Sequence, residues 1–112
     1  DLPILIGGNS PRAFERAARH QGFTGAQHEI DEVETIVGQL REAREVRGDS
    51  LDEFEIALSL YDPSERNVER CAELGVTMLC RDAFCDERGM ASKMSLDEKL
   101  RDMESFARTH LR

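Results

Sequence analysis

Apolar positions along this chain alternate between two spacings, and the alternation runs four times from end to end. Pro3 to Ile6 is a short continuous apolar run of strand type, and it breaks at the pair Gly7-Gly8. Ser10 to His20 then carries Ala13, Phe14, Ala17 and Ala18 at helical spacing, with Pro11 suited to a first turn and Gly22 as the stop. Gly22 to Gly25 reads as a brief strand. Ile30 to Arg47 is the clearest helix: Ile30, Val33, Ile36, Val37, Leu40 and Ala43 form one stripe. Asp31, Glu32 and Glu34 open that helix and Arg41, Arg44 and Arg47 close it, the sense its dipole favours.

Phe54 to Tyr61 switches to a period of two. Phe54, Ile56, Leu58 and Leu60 share one face, and Glu55, Ala57, Ser59 and Tyr61 share the other. A face that is small or polar suits a barrel wall better than the middle of an open sheet, where both faces are usually apolar. Asp62-Pro63-Ser64 turns into a helix reaching Leu74, with Val68, Cys71 and Ala72 inward and Gly75 at its end. Val76 to Arg81 is a fourth strand candidate, and Asp82 to Met94 is a polar loop. Ser95-Leu96-Asp97-Glu98 is a capping box, and the last helix is expected to bury Leu100, Met103, Phe106, Ala107 and Leu111. Four strand–helix units with crossovers of this length predict parallel strands and an α/β fold. They amount to half of a (β/α)8 barrel, a fold of roughly 250 residues.

Composition narrows the function. The 112 residues are one domain or part of one, 39% apolar and 34% charged. No stretch approaches the roughly 20 apolar residues of a membrane span. A net charge of −8 disfavours nucleic acid and anionic lipid as partners. The chain opens at Asp1 on a strand-like run, without a starting methionine or a charged leader, which suggests a piece of a longer polypeptide. Cys71, Cys80 and Cys85 are an odd set with no histidine beside them to complete a metal site, so they read as reduced, buried small residues of a cytoplasmic protein.

The candidate chemistry lies at Gly7, Gly8, Asn9 and Ser10. A strand, a glycine turn and a helix start bring backbone N–H groups together where an anion, most often a phosphate, can sit. A plain turn with a good N-cap is the alternative. Arg81, after the fourth strand, could meet an anionic group, or could pair with a carboxylate such as Asp82 or Glu87. Ser59 and Tyr61 end the third strand and could face a pocket there. Among the scattered histidines, His28 near a helix start is the one to inspect, and no pairing identifies a catalytic residue.

The segment Pro3-Ile-Leu-Ile-Gly-Gly-Asn-Ser-Pro-Arg-Ala-Phe-Glu-Arg-Ala-Ala18, followed by Gly22-Phe23, Gly75-Val-Thr77 and Ser95-Leu-Asp-Glu-Lys99, resembles the C-terminal half of luciferase-like monooxygenases. The resemblance covers nearly the whole chain through the order and spacing of motifs that are weak singly. Gln21 and Phe23 depart from it, standing where an acid and a tryptophan are usual. It implies one continuous unit, residues 1–112: the C-terminal half of a (β/α)8 TIM barrel from an oxidoreductase or monooxygenase that uses FMN or coenzyme F420 and a small organic substrate. It further implies that Gly7, Gly8, Asn9 and Ser10 contact the cofactor and its phosphate at the barrel mouth, with Phe23 and Arg81 as further cofactor candidates. Phe23 could equally be a core aromatic. The isolated piece is expected to lack turnover and to self-associate through its exposed half-barrel face. A non-catalytic half-barrel, or a flavodoxin-like phosphate-binding or assembly module, is the other reading.

Overall fold

The computed structural model describes residues 2–81 and 93–111. Among these the order is β1 (Leu5–Gly7), α1 (Pro11–Ala17), β2 (Gly22–His28), α2 (Ile30–Glu45), β3 (Glu55–Leu60), α3 (Glu65–Leu74), β4 (Met78–Leu79) and α4 (Leu96–His110). The four strands form one sheet in the order β1-β2-β3-β4, and every pair is parallel. The α/β class and the parallel units predicted by the spacing are therefore present.

The helices α1, α2 and α3 share one face of that sheet. Phe14 and Ala17 of α1, Val33, Ile36, Val37 and Leu40 of α2, and Cys71 of α3 are all buried in a single cluster with Phe23, Ile56, Leu58 and Leu60. The rings of Phe14 and Phe23 meet at 5.6 Å between centroids in a tilted contact, a favoured aromatic geometry. The alternation read in Phe54 to Tyr61 holds in space: the even-numbered apolar residues enter this core, while Ala57 and Ser59 face away from it. Register carries that second face onto the neighbouring strands, since Ala57 pairs with Thr24 and Met78, and Ser59 pairs with Gln27. The Cys80 N–H donates to the Leu58 carbonyl at 2.8 Å, which continues the ladder and sets Cys80 opposite Ser59.

Several elements differ from their sequence pattern, each for a local reason. The first helix ends at Ala17 because the Arg19 and His20 N–H groups turn back three residues, to Arg16 and Ala17, and tighten the last turn. Gly22 does not stop a helix; it opens β2, where a Cβ would stand 2.3 Å from the Glu55 carbonyl oxygen. The second strand runs on to His28 instead of ending near Gly25, because the ladder slips between Thr24 and Gln27 and two residues, Gly25 and Ala26, oppose Leu58 alone. Such a bulge breaks the simple period of two and re-aims the residues after it. The fourth strand is only Met78–Leu79.

The last helix departs furthest. Ser95 and Glu98 form the predicted capping box, yet no residue of α4 is buried. Leu100, Met103 and Leu111, expected inside, are 48%, 45% and 67% exposed. Amphipathic spacing supplies a stripe, but burial requires a surface to receive it. Ala72 of α3 is likewise exposed. The polar loop read from Asp82 to Met94 lies, through residue 92, outside the described residues, as does Cys85.

Candidate functional site

The carboxyl-terminal rim of the sheet carries the glycine turn after β1 and His28 at the end of β2. At its β1 corner the chain leaves Gly7, turns at Gly8 with φ +127°, and enters α1 through Ser10. A side chain at Gly8 would be strained in that conformation, and its Cβ would stand 2.8 Å from the Ala13 methyl. The Ser10 Oγ accepts from the Ala13 N–H at 3.2 Å, and the Ser10 carbonyl accepts from Ala13 and Phe14. The hydroxyl is thus engaged as an N-cap, and Pro11 has no N–H to offer. Asn9 lines a cavity of about 270 Å³ together with Phe14, His28, Glu32, Thr35, Ile36 and Gln39.

His28 ends β2 and is buried, 3% exposed. Its Nδ1 lies 3.5 Å from the Glu32 carboxylate one turn into α2. The Glu29 N–H donates to the other Glu32 oxygen at 3.0 Å, closing the capping box that starts α2. That backbone bond, aided by His28, holds the Glu32 carboxyl below the usual glutamate range. The second ring nitrogen of His28 has no hydrogen-bond partner among the described residues. It stands 3.2 Å from where a Cβ on Gly25 would lie, beside Phe23 and Leu58.

The remaining sequence candidates are dispersed. Phe23 is wholly buried on the helix-covered face, where its ring packs on Phe14. Its alternative reading as a core aromatic describes this position. Arg81 donates through one terminal nitrogen to both oxygens of Asp102, at 3.1 and 2.9 Å, and its guanidinium lies 5.5 Å from the Phe106 ring centroid. It therefore ties β4 to α4, with a partner the sequence did not suggest. Tyr61 is half-buried just past β3. Cys71 is buried, and burial pushes its thiol up, away from thiolate chemistry. Cys80 is exposed, against the expectation that the cysteines are buried; both thiols are free.

On the second face, one row was only half legible. Ser59 is 8% exposed. Gln27, its neighbour in register, has a buried carboxamide oxygen with no hydrogen-bond partner among the described residues. Ser59 followed from the alternation in β3. Gln27 did not, because only the bulge brings it to this face.

Among the described residues no group of three or more His, Cys, Asp or Glu side chains is placed to hold a metal ion, and no helix is long and apolar enough to cross a membrane. No protein family model matches the chain, and no solved structure does. Curated relatives include uncharacterized proteins of Mycobacterium bovis and of two strains of Mycobacterium tuberculosis, each 30% identical over 107 residues. The match takes in 95% of this chain but only 37% of each relative, so the chain spans little more than a third of the curated relatives it matches.

Proposed function

We propose that this chain is the C-terminal half-barrel of a luciferase-like oxidoreductase that uses FMN or coenzyme F420, with the cofactor phosphate held at the Gly7, Gly8, Asn9 and Ser10 turn. The observation that carries the reading is the sequential parallel order β1-β2-β3-β4 with α1, α2 and α3 on one face. A barrel wall is built in this way. A doubly wound, flavodoxin-like sheet reverses its strand order and places helices on both faces, so the order speaks against that alternative. The glycine turn sits at the carboxyl end of β1, the end at which barrel enzymes bind ligands. In such an enzyme the cofactor would supply the redox chemistry, and this chain would contribute binding and orientation.

Other features support the same reading. The relatives extend far beyond the matched part, leaving chain enough for the remaining half-barrel. The small and polar second face suits an interior wall. Alone, this piece would carry no turnover, and it would self-associate through that face in the cytoplasm. The test is a fluorescence titration of FMN and of coenzyme F420 against the chain and against the longer natural reading frame. Binding of one coenzyme, weakened at least tenfold by Gly8→Val in the longer protein, is the expected result. Absence of binding to either protein overturns the proposal. Light scattering that finds only monomer at high concentration removes the self-association.

A further inference from the structure

The cavity of about 270 Å³ between the start of α1 and the first three turns of α2 carries chemistry that the glycine turn does not use. Phe14 and Ile36 give it apolar walls, and Asn9 and Gln39 bring exposed carboxamides to it. Glu32 is the one carboxylate of the lining, and no Lys or Arg stands among the lining residues. That carboxylate is fixed: one oxygen takes the Glu29 N–H at 3.0 Å, and the other lies 3.5 Å from the His28 Nδ1. Its side chain is nonetheless 54% exposed, so a ligand can reach it. His28 also lines the cavity while 3% exposed, and its second ring nitrogen has no hydrogen-bond partner among the described residues. With a carboxylate beside Nδ1, the neutral ring carries its proton there and leaves the other nitrogen an acceptor. The fixed polar groups of this wall thus accept hydrogen bonds and offer none.

We infer that this cavity is a binding subsite for a primary ammonium on a short carbon chain, with Glu32 as its counter-ion and the Asn9 and Gln39 carboxamide oxygens as further acceptors. An ammonium carries three donors and no acceptor, which matches a wall of acceptors. A carboxylate or phosphate would meet Glu32 with no cation in the lining to offset the repulsion, in a chain of net charge −8. A neutral alcohol could donate one proton and would leave the charge on Glu32 uncompensated. The positive end of the α2 dipole, equivalent to roughly half a charge, is outweighed by the three carboxylates Glu29, Asp31 and Glu32 at the same helix start. Phe14 and Ile36 receive the carbon chain. The inference rests on the proposed function in one respect: Asn9 belongs both to the glycine turn and to this cavity, so an amine bound here is the substrate class of that enzyme.

The test titrates the isotope-labelled chain at neutral pH with three probes of one shape, butylammonium, 1-butanol and butyrate. Butylammonium should give saturable shifts of the Glu32 and Thr35 amide signals and of the Gln39 carboxamide, and the other two probes should bind at least five-fold more weakly. Glu32→Gln keeps a side chain able to close the capping box, so the helix start survives, and it should weaken butylammonium at least tenfold. Gln39→Ala, at an exposed helical position, should weaken it at least two-fold. Equal responses to all three probes, no saturation with butylammonium, or an undiminished response in either variant overturns the inference. In the same spectra FMN reports at the Gly8 and Ser10 amides. A response to FMN without one to butylammonium sinks only the subsite, and the converse sinks only the cofactor reading.

Discussion

The first three β–α units and the fourth are built from similar sequence patterns and end in different physical states. The stripe of α2 (Val33, Ile36, Val37, Leu40) is buried to within a few percent. In the stripe of α4, Leu100 and Met103 are about half exposed and Phe106 and Ala107 only partly buried. Both helices open with a capping box and both place acids first and bases last. The difference lies in what each helix meets. Three strands of the sheet receive α1, α2 and α3, whereas β4 is two residues long and α4 is tied through Arg81 to Asp102 and Phe106. Local signals thus specify a helix, and the surface opposite specifies whether its apolar side is used.

That contrast can be broken most forcefully in the core. Leu58→Ala should cost about 2–5 kcal/mol, read as a fall in the denaturation midpoint, because Leu58 is fully buried at the centre of the cluster. A loss below 1 kcal/mol would mean that the three-unit core is far looser than its packing implies.

Arg81→Ala should cost about 1 kcal/mol, since this ion pair is partly exposed, but it should act locally. Amide hydrogen exchange in α4 should accelerate while α2 stays protected. Uniform acceleration in both helices would show that the fourth unit is integral to the core.

Acid should sharpen the comparison further. Glu32 and Glu98 both sit in capping boxes, and in each a backbone N–H bond lowers the carboxyl pKa below its ordinary 4.5. Their contribution is present above the unfolded value and is lost as pH falls through the lower folded value. Helical circular dichroism should therefore decline below pH 4.5, and Glu98→Gln should remove the part of that decline that arises in α4. An unchanged acid profile would dissociate the cap from the stability of the helix. The smallest effect is expected for Leu100→Gln, within about 0.5 kcal/mol, as befits a half-exposed position. A larger loss would reveal that the stripe of α4 is covered in solution.

Much of this was legible beforehand, and the limits are physical. Periodicity placed the apolar faces of α2 and β3 correctly, because one side of each meets a core made of neighbours in sequence. It could not place Gln27, since a bulge is a property of two strands and not of one. It overstated α4, because a stripe carries no record of what covers it. It left Arg81 without its partner, Asp102, which lies 21 residues away across the chain. The corner at Gly8 was readable in its glycines, and the Ser10 hydroxyl, expected there, accepts the cap bond from the Ala13 N–H while keeping its own proton to donate.

Arg44 shows what these details do together. Near the end of α2 it donates to the carbonyls of Ala18 and Ser50, lies 3.7 Å from the Asp49 carboxylate, and stacks over Phe54 at 5.0 Å. All of those groups stand at the amino edge of the sheet, opposite the rim of Gly8, His28 and Ser59. One guanidinium therefore rivets the tail of the first helix, the second helix and the root of the third strand into a single base. Exchanges at the far edge touch none of the contacts that hold this base together.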